Sequence, residues 1–304
     1  MGPIARLTLE WRGTDAECIF LWLWTDELSL VVDVIRHYGR VLFRGFVAFG
    51  EDGQDISRWF PFPASFAPPF SVRSDGDWVS LDLVSLTMVG WLGRNPPVAF
   101  NLGCHLGDAY FNAVPCWLRR FDWTRAVSLL QEDFPRATFD GTVTASGRTY
   151  SLDRARGAIV HHWGWRFPNY LFLACHGFSG DPDAALTFAC AAVRTRWGVM
   201  FDGGYLYLLQ HGGEDRMLIA PLRGTLQYAR EGDTLVLTIR HSSRCVTRIV
   251  VDPGAGVAFP HVFNTDAVTV LGATCELEGV GVGRAVLDAK GLDVVPWLAA
   301  GRKS

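Results

Sequence analysis

The sequence has little lysine, no cluster of one charge and no long apolar run. All but two of the 28 basic residues are arginine, which favours a GC-rich bacterial source. The arginines are scattered and the net charge is −3, so the clustered cations of a nucleic-acid groove are missing. The apolar stretch at residues 19–23 soon meets Asp26 and Glu27, whereas a membrane helix needs about 20 apolar residues. We expect neither a membrane span nor, from the N-terminal pattern, a signal peptide.

Recognisable cofactor and metal motifs are also missing. The seven cysteines show no C-x-x-C spacing, which favours reduced thiols in a cytoplasmic protein. The neighbours Cys104-His105 and Cys175-His176 diverge along a strand, so they are poor zinc ligands. Residues 177–181 only approach a nucleophile elbow, and residues 279–284 only approach a dinucleotide fingerprint. We therefore expect no cofactor and no metal.

Apolar residues are abundant instead. The 304 residues are 49% hydrophobic and 19% charged, and this length suits one large or two ordinary domains. The apolar excess could line a cavity, form an interface or thicken a core. The composition leaves these three alternatives open.

Short strands with turn residues between them dominate the pattern. Residues 78–88 alternate after a turn at residues 74–77, and residues 234–251 form a second alternating stretch. Hairpins are expected in residues 138–150 around Ser146-Gly147 and in residues 197–209 around Asp202-Gly203-Gly204. Residues 182–193 fit a helix or a strand of small residues, and we favour the strand. The pattern predicts an all-β fold, a sandwich or barrel with few short helices.

Only one helix is indicated, from Trp123 to about Glu132, with Asp122 as its N-cap. The proline-rich residues 59–70 are expected to form an ordered loop. A boundary near residue 155 divides the chain into an N-terminal β-domain, residues 1–155, and a C-terminal domain, residues 156–304.

Residues 157–178 carry an unusual density of histidines and aromatic rings. In an extended conformation His161, Trp163 and Trp165 share one face, while His162 and Arg166 take the other. After Pro168, a second face collects four rings: Tyr170, Phe172, His176 and Phe178. Walls of this kind suit an apolar ligand that carries one or two polar groups.

The run from Gly141 to Phe178 resembles the central signature of the tocopherol cyclase and carotenoid 1,2-hydratase superfamily, whose relatives include Diels–Alderases of natural-product pathways. Trp163-Gly164 and Phe167-Pro168 match its pattern. Val160 stands where an acid is usual and His162 replaces an asparagine. The following strand lacks the usual tryptophans and glutamine and has Leu171, Leu173 and Cys175 instead. The resemblance implies two packed lipocalin-like β-barrel domains with a pocket near their junction.

Candidate site residues follow from these patterns. His161, His162 and His176 are the candidate catalytic groups, and each is also a plausible hydrogen-bonded structural residue. The candidate substrate-binding residues are Trp163, Trp165, Tyr170, Phe172, Asn112, Tyr110, Trp197 and Asp82.

Three functions remain open at this point. The first is a cofactor-independent intramolecular cyclase, such as a Diels–Alderase, acting on a linear polyene or polyketide. The second is a hydratase of an isoprenoid alkene, which requires an acid of raised pKa. The third is a carrier that binds an apolar ligand without changing it.

Overall fold

The computed structural model describes residues 9, 11–63, 69–93, 96–112, 130–194, 197–198, 200–210, 216–220, 225–242, 245–261, 264–292 and 294–300. Over these residues the chain is almost entirely β, with 22 strands, one 3-10 turn at Pro253–Ala255 and one short helix, α1, at Val295–Ala300. Neither helical segment of this described part is long and apolar enough to cross a membrane.

The first sheet contains the N-terminal strands. They are β1 Ala16–Trp24, β2 Ser29–His37, β3 Arg40–Phe49, β4 Asp52–Asp55, β5 Arg58–Pro61, β6 Phe70–Ser74, β7 Asp77–Asp82, β8 Thr87–Leu92, β9 Val98–His105, β10 Phe111–Asn112, β11 Leu130–Ala145 and β12 Arg148–Gly164. Their spatial order is β4-β3-β2-β1-β12-β11-β9-β8-β7-β6, with β5 beside β3 and β10 beside β11. All the pairings are antiparallel.

The second sheet contains the C-terminal strands. They are β13 Tyr170–His176, β14 Ala185–Arg194, β15 Met200–Leu209, β16 Arg216–Ala220, β17 Thr225–Glu231, β18 Thr234–Ser242, β19 Cys245–Asp252, β20 Val257–His261, β21 Asn264–Leu277 and β22 Gly281–Lys290. Their order is β16-β15-β14-β13-β22-β21-β19-β18-β17, with β20 beside β21. The two antiparallel sheets curl into half-barrels, which confirms the predicted two-domain, lipocalin-like β fold.

Each half-barrel has its own apolar core, and two further clusters lie between the sheets. Strands β1 and β13 are apolar on both faces because one face lines a core and the other lies in the interface. At the rim, β7 buries only alternate residues, as a strand with one solvated face should. The apolar excess of the sequence therefore serves two cores and an interface.

Several sequence predictions are confirmed. The β11–β12 hairpin turns at Ser146-Gly147, where both residues have positive φ, and the β6–β7 hairpin turns at Asp75-Gly76. Strands β14, β18 and β19 lie where the pattern predicted strands. Cys18, Cys104, Cys175 and Cys275 are buried, as expected for core thiols.

Other predictions are wrong. β15 is unbroken through Asp202-Gly203-Gly204, because it pairs with β14 along its whole length. Residues 78–88 do not form one strand, since a turn separates β7 from β8 and Leu86 adopts a φ of 53°. Of the predicted helix, residues 123–129 lie outside the described residues, and its last residues, 130–132, open β11. There, pairing with β12 outweighs the local helical signal.

The predicted domain boundary near residue 155 falls inside β12. This strand stays in the first sheet as far as Gly164, and the second sheet begins at Tyr170. The change of sheet therefore spans residues 165–169, which include Pro168. As a division into domains, the boundary near residue 155 stays a prediction.

Candidate active site between the two sheets

Two cross-strand rows face each other across the interface. In the first sheet the register aligns Asp133, Val160, Phe20, Asp33 and Arg44. In the second sheet the register aligns a corresponding row, which runs in the order Tyr205, Ala189, Phe172, Asp288 and Thr269. The rows meet at both ends and in the middle: Tyr205 bonds Asp133, Phe20 packs on Phe172 at 5.4 Å, and Arg44 bonds Asp288. The interface is thus an apolar centre with a buried polar group at each end.

One polar end is built around Asp133, which is completely buried. The Tyr205 hydroxyl donates to one carboxyl oxygen at 2.5 Å, and the Gln131 amide donates to the other at 2.7 Å. Burial raises the pKa of Asp133 well above its ordinary value despite the Tyr205 hydrogen bond, and the nearby charge of Glu132 adds to the rise. Asp133 therefore holds its proton to higher pH than a carboxyl in water.

Aromatic rings surround this carboxyl. Phe111 of β10 lies 4.5 Å from the Tyr205 ring and 5.6 Å from the Tyr207 ring. Burial also raises the pKa of the Tyr205 phenol, and the Asp133 carboxyl adds to the effect. The group is a weakly acidic carboxyl and a phenol in an apolar setting. Because the phenol already donates its proton to Asp133, the carboxyl is the member that can donate a proton or a hydrogen bond to another molecule.

The other polar end is an ion cluster that joins the sheets. Arg44 donates to both oxygens of Asp288, at 3.1 and 2.9 Å, and to Asp33. Tyr170 donates to Asp288 at 2.6 Å, and Thr269 donates to it at 2.7 Å. Burial opposes ionisation of Asp288, but the Arg44 guanidinium outweighs it and lowers the pKa of that carboxyl. Burial, helped by the Asp288 charge, raises the pKa of Asp33 to about 6. Because the charged side chains at this end have partners of opposite charge, the ion cluster holds the two sheets together.

His161 lies inside the first half-barrel, away from the interface. Its Nδ1 is 2.8 Å from Glu132 and its Nε2 is 2.9 Å from Glu17. Burial disfavours the charged ring, but the bonds to Glu132 and Glu17 outweigh it and raise the pKa of His161. Glu17 also accepts the backbone N–H groups of Arg12, Gly13 and Thr14. Both ring nitrogens are engaged with glutamate oxygens, which suits a structural role and leaves neither nitrogen free to bind a metal.

His162 and His176 face the other way, into the interface. The His162 ring is 6.3 Å from Phe172, and the His176 ring is 5.3 Å from Trp22. Burial, together with the charge of His161, lowers the pKa of His162 to about 3. Burial, together with Arg156 and Arg136, lowers the pKa of His176 to about 3. Both rings are neutral at physiological pH.

The remaining candidate residues divide between these regions and the surface. Tyr110 donates to Glu132 at 2.9 Å, and Asn112 donates to Tyr110, so both join the His161 cluster. Trp163 lies 4.9 Å from His161, under the Arg12 guanidinium. Tyr170 and Phe172 line the interface.

Three candidates join neither group. Trp197 is 77% exposed. Asp82 caps the turn after β7 by accepting the N–H groups of Val84 and Ser85. Trp165 follows β12, and its carbonyl accepts the Tyr38 hydroxyl. These placements favour structural or surface roles for all three.

The predicted faces of residues 157–178 can now be compared with the structure. His161 and Trp163 share one face and His162 takes the other. Tyr170, Phe172 and His176 share the interface side, opposite Leu171, Leu173 and Cys175 in the second core. Phe178 is an error, since it lies in that core. β13 ends at His176, and Gly177, with a φ of 66°, breaks the alternation.

The pattern missed the acidic partners and the row ends. These residues are Glu17, Asp33, Arg44, Glu132, Asp133, Tyr205 and Asp288. A usable signal exists for three of them, because Asp33, Arg44 and Asp288 are charged residues whose neighbours on both sides in the strand are apolar or glycine. A charge at such a position needs a buried partner.

Comparison with known proteins gives fold relatives only. No family model and no curated protein matches the sequence. Among solved structures, the chain is similar to an AttH-type protein from Nitrosomonas europaea, with a TM-score of 0.60 and 11% identity over 96% of this chain and 99% of that one.

Two further structures are similar. Kievitone hydratase from Nectria haematococca has a TM-score of 0.57 and 10% identity over 91% of this chain and 89% of its own. CghA with Sch210972 has a TM-score of 0.57 and 12% identity over 90% of this chain and 88% of its own. At these identities the likeness concerns the fold. The chain thus has a two-domain, lipocalin-like β fold that is similar to the structures of kievitone hydratase and CghA.

Proposed function

We propose that this protein is a cofactor-independent intramolecular cyclase, such as a Diels–Alderase, that acts on a linear polyene or polyketide intermediate. The observation that carries the proposal is the buried carboxyl of Asp133, whose pKa burial raises, beside the Tyr205 phenol in an aromatic interface. The fold it shares with CghA supports the same assignment. Buried thiols and an arginine-rich composition fit a bacterial cytoplasmic enzyme.

The chemistry demanded of such an enzyme is modest. Holding the two reacting ends of one chain together supplies on the order of 7–11 kcal/mol when the orientation is good. The rings of Phe111, Tyr205 and Tyr207 form an aromatic cluster against which a polyene would pack. A hydrogen bond from Asp133 to a substrate carbonyl would polarise the conjugated alkene, an effect worth about 10²–10³ in rate for a well-placed donor.

The same carboxyl favours a second candidate, hydration of an isoprenoid alkene. In that reaction the Asp133 proton would move to one alkene carbon, and water would add to the carbocation and lose a proton. An acid of raised pKa is what this route needs. The two candidates differ in what Asp133 does, since the cyclase needs only a hydrogen bond from it and the hydratase needs its proton.

The test follows from this difference. Purified protein is incubated with a linear polyene that bears a conjugated carbonyl, and the products are analysed by mass spectrometry and chiral chromatography. A cyclase gives one stereoisomer of unchanged mass, whereas a hydratase gives a product heavier by one water. A Tyr205→Phe variant should slow a cyclase, because Asp133 loses the hydrogen bond that holds its carboxyl in position.

The variant Asp133→Asn sharpens the assignment, because an amide still donates a hydrogen bond but is not an acid. We expect partial cyclase activity in this variant, whereas a hydratase would lose all turnover. Asp153→Asn, at an exposed position of β12, is the matched control. Rates and stereochemistry equal to those without protein would refute an enzymatic role, and tight binding of an unchanged ligand would then favour the carrier.

A further inference from the structure

Away from Asp133, the interface contains buried polar atoms that lack hydrogen-bond partners. His176 is 4% exposed and Thr187 is completely buried. Neither His176 Nε2 nor Thr187 Oγ1 has a partner among the described residues, and the same holds for the buried Nε1 of Trp24 and Nε of Arg136. A buried polar group left unpaired costs about 1–3 kcal/mol. Unpaired groups in one region therefore need an explanation.

The sheet register brings His176 and Thr187 together. His176 lies opposite Ala185, and Thr187 lies opposite Ala174, so the two residues are diagonal neighbours on β13 and β14. Diagonal neighbours are about 7–8 Å apart, a gap that one small polar group can bridge. The His176 ring touches Trp22 of the first sheet, so this side of the second sheet faces the interface.

The nearby charges belong to ion pairs at the rim, in which two arginines face carboxylates. Arg136 and Arg156 both contribute to the low pKa of His176, after burial itself. Their outer nitrogens bond the carbonyls of Asp183 and Pro182 at the rim. Because Trp and Arg side chains only donate, and neutral His and Thr can donate, the region suits an oxygen that accepts hydrogen bonds.

We propose that His176 and Thr187 form a polar subsite that binds an acceptor oxygen of the substrate, a carbonyl, enolate or carboxylate oxygen. This inference rests on the proposed function, because it places a second contact on the same ligand. Strand spacings of 3.3 Å along and 4.8 Å across the sheet put the subsite roughly 12 Å from Tyr205. The substrate would therefore carry polar groups at two well-separated points, with the apolar chain lying against Trp22 and the interface.

Binding of a fluorescent probe tests the subsite without turnover. The probes are trans-parinaric acid, a linear conjugated tetraene with a terminal carboxylate, and the same hydrocarbon chain without the carboxyl. We expect the wild-type protein to bind the acid at least about 10-fold more tightly than the hydrocarbon. Thr187→Val and His176→Phe should remove most of this preference and leave hydrocarbon binding unchanged.

Controls separate the subsite from a structural role. Thr187→Val keeps the shape and removes an unpaired hydroxyl, so the variant should be as stable as the wild type or more stable. Thr142→Val, at an exposed position of β11, should change neither probe. If both variants kept the wild-type preference for the acid over the hydrocarbon, the subsite would be refuted and the proposed function would be unaffected. Failure of the wild type to bind either probe would overturn the subsite and the interfacial site of the proposed function together.

Discussion

Replacing Arg44 by methionine removes the guanidinium that holds two buried carboxylates between the sheets. Arg44 is 5% exposed, and Asp33 and Asp288 are 1% and 3% exposed, so water cannot take over its role. Removing one partner of a buried ion pair costs about 3–5 kcal/mol, because the other charge stays buried. Asp33, whose pKa is about 6, can take up a proton, so most of the cost falls on Asp288. We expect Arg44→Met to lower the free energy of unfolding by about 3–5 kcal/mol at pH 7.

The assay is urea unfolding, followed by both tryptophan fluorescence and far-ultraviolet circular dichroism. The double variant Arg44→Met/Asp288→Asn should recover most of the loss, since the one carboxyl left opposite the methionine, that of Asp33, can take up a proton. Arg73→Met, at an exposed position of β6, is the control and should change stability by less than about 0.5 kcal/mol. A loss below about 1 kcal/mol in Arg44→Met, or no recovery in the double variant, would refute the reasoning.

Three further predictions concern pH. The pKa of Asp33 is raised to about 6, so the wild type loses stability as pH rises toward 6, and Asp33→Asn should not show this loss. At pH 7.5, urea titrations should show a smaller loss of unfolding free energy for Asp33→Asn than for Asp288→Asn. The pKa of His161 is raised, so its bridge stabilises the fold fully below pH 6.5 and is lost as pH rises through the raised pKa. His161→Gln should lower stability at neutral pH and flatten the alkaline limb of a thermal-unfolding profile; an unchanged limb would contradict this. The pKa of His176 is lowered to about 3, so protonation of the unfolded chain destabilises the fold between pH 6.5 and 3. His176→Phe should reduce that slope by up to about 1.4 kcal/mol per pH unit.

The fold could be predicted because its signals are local. Turn residues such as Ser146-Gly147 and the alternation in residues 157–178 depend on neighbours in the sequence, and they located hairpins and, as far as His176, two opposite faces correctly. The errors arose where pairing outweighed local chemistry. The glycines at 203 and 204 lie inside β15 because β14 holds them in register, and no local pattern reports that.

The candidate site could be predicted only in part, because its partners are distant in sequence. The sequence predicted His161 as a candidate catalytic residue, but its hydrogen-bond partner Glu17 is 144 positions away and was not predicted. Asp133 meets Tyr205 across 72 positions and two sheets. The sequence shows each of these residues as one more polar residue in a strand, and only the pairing of distant strands and the packing of the two sheets bring the partners together.

The most direct test of the proposed cyclase is a comparison of metabolites from the producing strain with and without the gene. The account predicts that the strain without the gene accumulates a linear precursor of the same mass as the cyclic product it lacks, since cyclisation is an isomerisation. Restoring Asp153→Asn should return the product fully, and restoring Asp133→Asn should return only part of it. A precursor lighter by one water would establish hydration instead, and an unchanged metabolite profile would contradict an enzymatic role in that pathway.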